Sequence, residues 1–321
     1  MFESSKQVHH ALSEVGYLTD SVTATAVYLA AKLKKPLLLE GPAGSGKTEL
    51  SYAVARAADT QVERLQCYEG ITEDKAIGKF DESLQRLYVE MAARSPEAAD
   101  WAELGKQLSA LEFFAAGPLL KALLSPSPCV LLIDELDKVD HAFEATLLEI
   151  LSVWQLSIPR LGTIPASSIP FTVLTSNEER RLGDPLRRRS LYLRIEHPTA
   201  EREGEIVALR TPEAGEATHR LIAGFAKALR AYSLEKPPSV SEMIDIALSL
   251  GHLGIEEVSS EHRDVLLPLL AKTERDRQRL LLRDGFASVV YAARHYAEAM
   301  PSEEVGSLLA TAEATRQESA A

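Results

Sequence analysis

The chain has 321 residues, 45% hydrophobic and 26% charged, which is typical of a globular protein and not of a disordered, collagen-like or coiled-coil chain. It carries 35 Lys and Arg against 47 Asp and Glu, a formal net charge of -12. Because this charge opposes the approach of another polyanion, we expect no nucleic-acid partner. At this length we expect two domains.

The cysteines and the N-terminal sequence bear on the compartment. Cys67 and Cys129 have no CxxC spacing and are too few for a disulfide framework, so we predict packing residues in a reducing compartment. The N-terminus has no basic stretch followed by an apolar one, and no apolar run reaches about 18 residues. We therefore expect a cytoplasmic protein without a membrane span.

The first predicted elements are a helix and a strand. Residues 21–33 show helical spacing of the apolar positions Val22, Ala26, Leu29, Ala30 and Leu33. Proline at position 36 ends this helix, and residues 36–40 form a short apolar run. Such a run is typical of a parallel strand covered by helices on both faces.

Two further apolar runs, residues 129–133 and 171–175, are separated by helical patterns. The alternation predicts an α/β fold with a parallel sheet flanked by helices and a smaller all-α domain after it. We place the α/β domain at 1–198, with a helical insertion at about 68–111. In the insertion we predict that Tyr68 and Phe80 are buried packing residues, with contact to another protein as the alternative.

After residue 198 the patterns are helical. Thr199 is a predicted N-cap, followed by helices over 200–210 and 216–233, a third opening at Ser239 and two more toward Tyr296. We assign 199–300 to an all-α lid domain and 301–321 to a tail.

A phosphate-binding motif follows the first strand directly. The sequence GPAGSGKT at 41–48 satisfies GxxxxGK[ST] and opens a helical pattern. The predicted nucleotide-binding residues are Gly41, Pro42, Ala43, Gly44, Ser45, Gly46, Lys47, Thr48 and Glu49. We expect Lys47 to reach the β- and γ-phosphates of ATP and Thr48 to ligate Mg²⁺. The alternative is a glycine-rich turn that binds nothing.

Polar residues also follow the other two strands. After residues 129–133 come Asp134, a candidate Mg²⁺ ligand, and Glu135, a candidate to polarise the attacking water. Asn177 follows the third strand and could hydrogen-bond that water or the γ-phosphate. A solvated strand end and a simple turn are the respective alternatives.

Three adjacent arginines, Arg187, Arg188 and Arg189, follow a Gly-Asp-Pro turn. Three neighbouring guanidinium groups cannot all pair with internal carboxylates. We predict that at least one protrudes and completes the phosphate site of a neighbouring subunit. A solvated basic cluster is the alternative.

These motifs, in this order, resemble those of AAA+ ATPases. Longer stretches, among them LQCYEGITEDKAIGKFD and LTSNEERRLGDPLRRRSLYLRIEHPTAERE, are similar to the MoxR group, and most of all to its CoxD-type branch. The resemblance implies a ring, usually a hexamer, that hydrolyses ATP between subunits. It also implies protein remodelling or maturation, a partner with a von Willebrand factor A domain, and help with metal-cofactor insertion into client enzymes such as molybdenum hydroxylases.

By position, the resemblance assigns Asn177 as the first sensor and Arg189 as the arginine finger, with Arg188 second. Many relatives have a further arginine at the start of a lid helix, but residues 236–242 read KPPSVSE. Lys236 could substitute for it, or nucleotide state couples more weakly to the lid.

We thus expect a chaperone with ATPase activity. A nucleic-acid motor, a P-loop kinase for a small molecule and a nucleotide-gated scaffold are the other classes considered. No His and Cys cluster has metal-ligand spacing, so any metal other than Mg²⁺ would belong to the client.

Overall fold

The computed structural model describes residues 2–93, 101–232, 234–255 and 257–299, so the predicted tail and residues 94–100 of the predicted insertion lie outside the described residues. The chain divides into two compact units. Unit 1 comprises Met1–Ala11, Thr19–Gly41 and Lys47–Ile195. Unit 2 comprises Leu12–Leu18, Pro42–Gly46 and Glu196–Ala321. Helix α1 (Ser5–Glu14) contributes residues to both units.

Unit 1 alternates strands and helices. In chain order it contains α2 (Ser21–Leu33), β1 (Leu37–Glu40), α3 (Lys47–Ala57), β2 (Val62–Gln66), α4 (Glu73–Ala76), β3 (Gly78–Phe80), α5 (Glu82–Ala92), α6 (Trp101–Leu108), β4 (Phe114–Ala116), α7 (Pro118–Leu124), β5 (Val130–Asp134), α8 (His141–Val153), β6 (Gln155–Ile158), β7 (Gly162–Pro165), β8 (Phe171–Ser176), α9 (Asp184–Arg189) and β9 (Leu191–Arg194).

Five of these strands form a parallel sheet in the order β2-β5-β8-β1-β9. Every residue of β1, β5 and β8 is buried, as expected for strands covered on both faces. The predicted α/β fold class is confirmed, and the three predicted runs are strands. Strand β2 was not predicted because it lies at a sheet edge and only one of its five residues is buried.

Helix α2 is confirmed, but of its predicted apolar positions only Ala30 is fully buried. Asp20 caps it by accepting a hydrogen bond from the Thr23 backbone N–H. The buried side chains are Ala24, Val27 and Ala30. Val22, Leu29 and Leu33 are instead 63%, 40% and 55% exposed. The small side chains of Ala24 and Ala30 allow close packing on β1 and β9, so the helix turns its narrower apolar stripe inward.

Two antiparallel strand pairs lie outside the main sheet, β3 with β4 and β6 with β7. The first pair encloses α5 and α6, and Phe80 packs edge-to-face on Phe114 at 5.2 Å. Phe80 is therefore partly buried. The predicted burial of Tyr68 is wrong, since this side chain is 48% exposed where the chain leaves β2 after the buried Cys67.

The described residues of unit 2 after Glu196 are mainly helical. Its helices are α10 (Ala200–Arg210), α11 (Gly215–Ala231), α12 (Val240–Leu253), α13 (Arg263–Leu270), α14 (Glu274–Leu281) and α15 (Gly285–Ala299). The predicted N-cap Thr199 is confirmed, because it accepts from Arg202 N–H. The helix predicted to open at Ser239 begins there, and Ser239 forms a capping box with Glu242. The prediction of two final helices is wrong, since Thr273 caps a separate short helix and makes them three.

Both cysteines are free and buried, as predicted for packing residues. Burial raises the pKa of Cys67 to about 12, so its thiol stays protonated at neutral pH. Within the described ranges, no helix combines the length and apolar character needed to cross a bilayer.

Candidate nucleotide site

The phosphate motif begins where β1 ends. Gly41 has φ +150°, and a Cβ there would lie 2.0 Å from the carbonyl oxygen of Ile195, so only glycine fits. Lys47 opens α3, is 5% exposed, and donates from Nζ to the Gly41 carbonyl at 2.8 Å. Burial lowers the pKa of Lys47, while surrounding carboxylates, Asp137 and Asp134 foremost, act in the opposite direction. This buried cation suits a phosphate ligand.

Residues 42–46 of the motif group with unit 2. Gly44 has φ +77°, and a Cβ on it would lie 2.7 Å from Cβ of Ser239, the N-cap of α12. The Tyr17 hydroxyl donates to the Gly46 carbonyl at 3.4 Å. Ser45 is 8% exposed, and its buried Oγ has no hydrogen-bond partner in the described part of the chain. Glycine geometry and an unpaired buried hydroxyl both suit a loop that holds a polar ligand.

The other motif positions differ in surroundings. Pro42 is half-buried and Ala43 is exposed. Glu49 forms an ion pair with Arg56 at 2.7 Å, and the two residues lie on the same face of α3.

The predicted metal ligands lie next to each other. Thr48 Oγ1 donates to Asp134 Oδ1 at 3.0 Å, and Thr175 Oγ1 donates to the same oxygen at 2.6 Å. The second oxygen, Oδ2, accepts from Arg64 Nη2 at 2.6 Å. A hydroxyl and a carboxylate are the hard oxygen ligands that Mg²⁺ prefers, so the residues present fit this ion.

Arg64 was not identified from the sequence. Burial acts to lower its pKa, but the hydrogen bond and the charge of Asp134 outweigh burial, and the net shift is upward. Arg64 thereby fixes the orientation of the Asp134 carboxylate. The only available signal was a basic residue on a strand that the apolar pattern did not reveal.

Glu135 follows β5 in the left-handed region, with φ 57° and ψ 48°. Its backbone N–H donates to Thr175 Oγ1 at 2.9 Å, which helps to hold this uncommon conformation. Across the described residues its carboxylate has no hydrogen-bond partner. Strained backbone of this kind concentrates at functional positions, and a half-exposed, unpaired carboxylate can polarise water.

Asn177 follows β8, which pairs with β5, so the strands carrying Asn177 and Glu135 are neighbours as predicted. The turn is held by Asp137, whose Oδ2 accepts from the backbone N–H of Asn177 at 3.1 Å and of Glu179 at 3.0 Å. Asp137 is 4% exposed and was missed in the sequence. It links the acidic motif directly to the candidate sensor.

The three arginines do not share one environment. Arg187 pairs with buried Glu40 at 2.5 Å and stacks over the Tyr192 ring at 5.1 Å. Arg188 and Arg189 are exposed on α9. Arg189 donates only to the Pro185 carbonyl at 3.4 Å, and Arg188 has no hydrogen bond or ion pair to any described residue. Two guanidinium groups are therefore free to meet another molecule.

Residues 36–190 match the family model described as AAA domain (dynein-related subfamily). Matching solved structures include three of RuvB from Thermotoga maritima, two of them variants and one described as a Holliday junction branch migration motor. Their identities are 16%, 15% and 15% and their TM-scores 0.44, 0.45 and 0.44. They cover 88%, 87% and 88% of this chain and 76%, 75% and 76% of those chains. No curated protein matches. Residues 36–190 are thus similar to AAA domains of the dynein-related subfamily, and the chain has the AAA+ P-loop fold.

Proposed function

We propose that the protein is a ring-forming, ATP-hydrolysing chaperone of the MoxR type. The observation that carries the ATPase part is the hydrogen bond between Thr48 and Asp134, 3.0 Å long. It joins the last residue of the phosphate motif to the carboxylate at the end of β5, although 86 positions separate them. This pairing of hydroxyl and carboxylate is what a Mg²⁺-nucleotide needs.

The residue roles follow from their chemistry. Lys47 binds the β- and γ-phosphates, while Thr48 and Asp134 hold Mg²⁺. The bound ion supplies positive charge to the phosphate oxygens. Glu135 polarises the attacking water, and Asn177 hydrogen-bonds that water or the γ-phosphate.

Arginine from a neighbouring copy completes the site. Arg188 and Arg189 are exposed and lack carboxylate partners among the described residues, so one of them can stabilise the charge of the transition state in the next subunit of a hexameric ring. A catalytic site shared between subunits explains why two unpaired cations would stand side by side on a short helix.

The chaperone part rests on the MoxR and CoxD-type motif resemblance. It proposes a cytoplasmic protein with a nucleotide-binding domain at 1–198 and a lid at 199–300. Its partners would be a protein with a von Willebrand factor A domain and a client metalloenzyme. The net charge of -12 supports a protein client over a nucleic acid.

The ATPase test compares ATP binding and phosphate release in three variants. We expect Lys47→Ala to lose ATP binding, and Glu135→Gln to retain ATP with Mg²⁺ while phosphate release falls by about 10²-fold or more. Glu90→Gln, which changes an exposed glutamate on α5 outside the motifs, is the control and should behave as the native protein. A Glu135→Gln protein that turns over at the native rate contradicts the assignment.

The chaperone class is tested with added macromolecules. We expect phosphate release to respond to a protein captured by the ATP-retaining Glu135→Gln variant and not to duplex or single-stranded DNA. DNA binding that weakens steeply with salt, with DNA-stimulated turnover, would favour a nucleic-acid motor. A monomer that phosphorylates a metabolite would favour a small-molecule kinase.

A further inference from the structure

Helix α9 is held at its N-terminal end by a buried carboxylate. Glu144, on α8, is 3% exposed, and its Oε2 accepts from the backbone N–H of Gly183 at 2.9 Å. Gly183 is the N-cap of α9, and a Cβ on it would lie 2.8 Å from this oxygen. Glu144 Oε1 accepts from Arg180, which also donates to the Val139 carbonyl at 2.6 Å. The carboxylate thus fixes the position where α9 begins.

A second buried carboxylate holds the middle of the helix. Glu40 is 4% exposed and is the last residue of β1, directly before Gly41. Its Oε1 accepts from Arg187 Nη1 at 2.5 Å, across 147 positions of sequence. Leu186 is fully buried and Arg187 pairs with Glu40, whereas Arg188 and Arg189 are exposed.

We propose that Arg187, Glu40 and Glu144 are positioning residues that hold α9 so that Arg188 and Arg189 protrude toward a neighbouring copy of the chain. This inference rests on the proposed function. The arginine triplet therefore has two roles: Arg187 anchors the helix in its own subunit, and its neighbours act on the next subunit.

The anchoring also joins the helix to the protomer's own phosphate motif. Glu40 and Gly41 are consecutive, so a shift of the motif when nucleotide binds would be passed through Glu40 to Arg187. The segment between β8 and α9 is fixed at three further points, by Asp137 on Asn177 and Glu179 and by Glu144 on Arg180. An arginine finger needs such fixed geometry, since a displacement of about 1 Å can lower a rate about 10²-fold.

The test uses mixed rings in which one subunit type hydrolyses ATP and the other supplies the fingers. Acceptor subunits carry Arg188→Ala and Arg189→Ala, and donor subunits carry Glu135→Gln. Each type alone should release little phosphate, and their mixture should recover turnover. If the mixture stays inactive, the proposed sharing of the site between subunits is wrong.

The inference is then tested in donors that carry one more substitution. Arg187→Met or Glu144→Gln in the donor should lower the recovered turnover by about tenfold or more. Arg187→Lys should recover part of it. The control donor carries Arg181→Met, which removes an exposed pair with Asp184 beside the same helix, and should rescue as well as the unmodified donor.

Every donor carries Glu135→Gln and cannot hydrolyse ATP at its own site. Phosphate release therefore reports only how well the donor's arginines complete the acceptor's site. Light scattering and ATP retention check that each donor folds and enters rings, and Glu144→Gln keeps the side-chain shape if Arg187→Met does not fold. Recovery that is equal with the Arg187→Met or Glu144→Gln donor and the unmodified donor would overturn the inference, even though the mixture itself had worked.

Discussion

Units 1 and 2 both bury acidic side chains, but the groups that donate hydrogen bonds to these carboxylates differ between the units. In unit 1, Asp134 accepts hydrogen bonds from two hydroxyls and a guanidinium group on α3, β8 and β2. Asp137 accepts from two backbone amides in the turn after β8. In unit 2, Glu203 joins α10 to Arg230 of α11. Asp276 accepts from the backbone N–H groups of Glu235 and Lys236 at 2.7 and 3.0 Å.

The difference separates two kinds of buried polar group. Those in unit 1 fix residues to which we assign chemical roles, whereas those in unit 2 fix helices to one another and to their connections. Substitutions in unit 1 should therefore change turnover more than stability, and those in unit 2 should change stability more than turnover.

Among the substitutions that test this comparison of the two units, Asp137→Ala in unit 1 should have the largest effect. It leaves the backbone N–H groups of Asn177 and Glu179 without their acceptor and frees the sensor turn. We expect kcat to fall about 100-fold, equivalent to about 2.7 kcal/mol in barrier, in a phosphate-release assay at saturating ATP. Asp74→Ala, at an exposed position on α4, is the control. A loss of stability with unchanged kcat would show that Asp137 has only a structural role.

The next effect is that of Glu203→Gln in unit 2, which should change how the free energy of unfolding depends on pH. Burial raises the pKa of Glu203 from 4.5 to about 7, against the attraction of Arg230. Because the folded state binds this proton more tightly than the unfolded state, the free energy of unfolding falls as pH rises through this interval. Between about pH 5.5 and about pH 8 the loss is roughly 2 kcal/mol.

Glutamine does not titrate, so the variant should lack this loss. Urea unfolding of both proteins at the two pH values measures it, and Glu216→Gln, at an exposed position on α11, should keep the native dependence. Equal pH dependence of the native protein and Glu203→Gln would contradict the assignment of the shift to this carboxylate.

The smallest expected effect is that of Ser239→Ala. Loss of the capping box on α12 should lower the free energy of unfolding by about 1 kcal/mol. Since alanine keeps the Cβ that approaches Gly44, kcat should stay near its native value. Thr199→Ala removes the cap of α10 and is the matched comparison. If kcat falls for Ser239→Ala alone, the hydroxyl acts on nucleotide and the two units are less distinct than proposed.

Much of the fold could be predicted because local pattern and tertiary structure agree in the buried strands and capped helices. The helix at Ser21–Leu33 shows the limit. Its sequence contains two overlapping apolar stripes that share the buried Ala30, and spacing alone selected the one with Val22, Leu29 and Leu33, which are exposed. Only the close packing of the alanine-containing stripe on the sheet decides between them.

The candidate site divides in the same way. Lys47, Thr48, Asp134 and Glu135 were found because each lies in a short motif next to an apolar strand. Arg64, Asp137 and the anchoring role of Arg187 were not, because their partners are distant in sequence. Arg187 looks identical to its two neighbours until the sheet brings Glu40 beside it.

The central claim is that ATP is hydrolysed with an arginine from a neighbouring copy. The most direct measurement is phosphate release, in parallel with size-exclusion light scattering in ATP and Mg²⁺, for the native protein and for Arg188→Ala, Arg189→Ala. We predict a nucleotide-promoted ring in both proteins and a fall in turnover of about 10³-fold or more in the variant. A monomer with unchanged turnover in the variant would contradict the account.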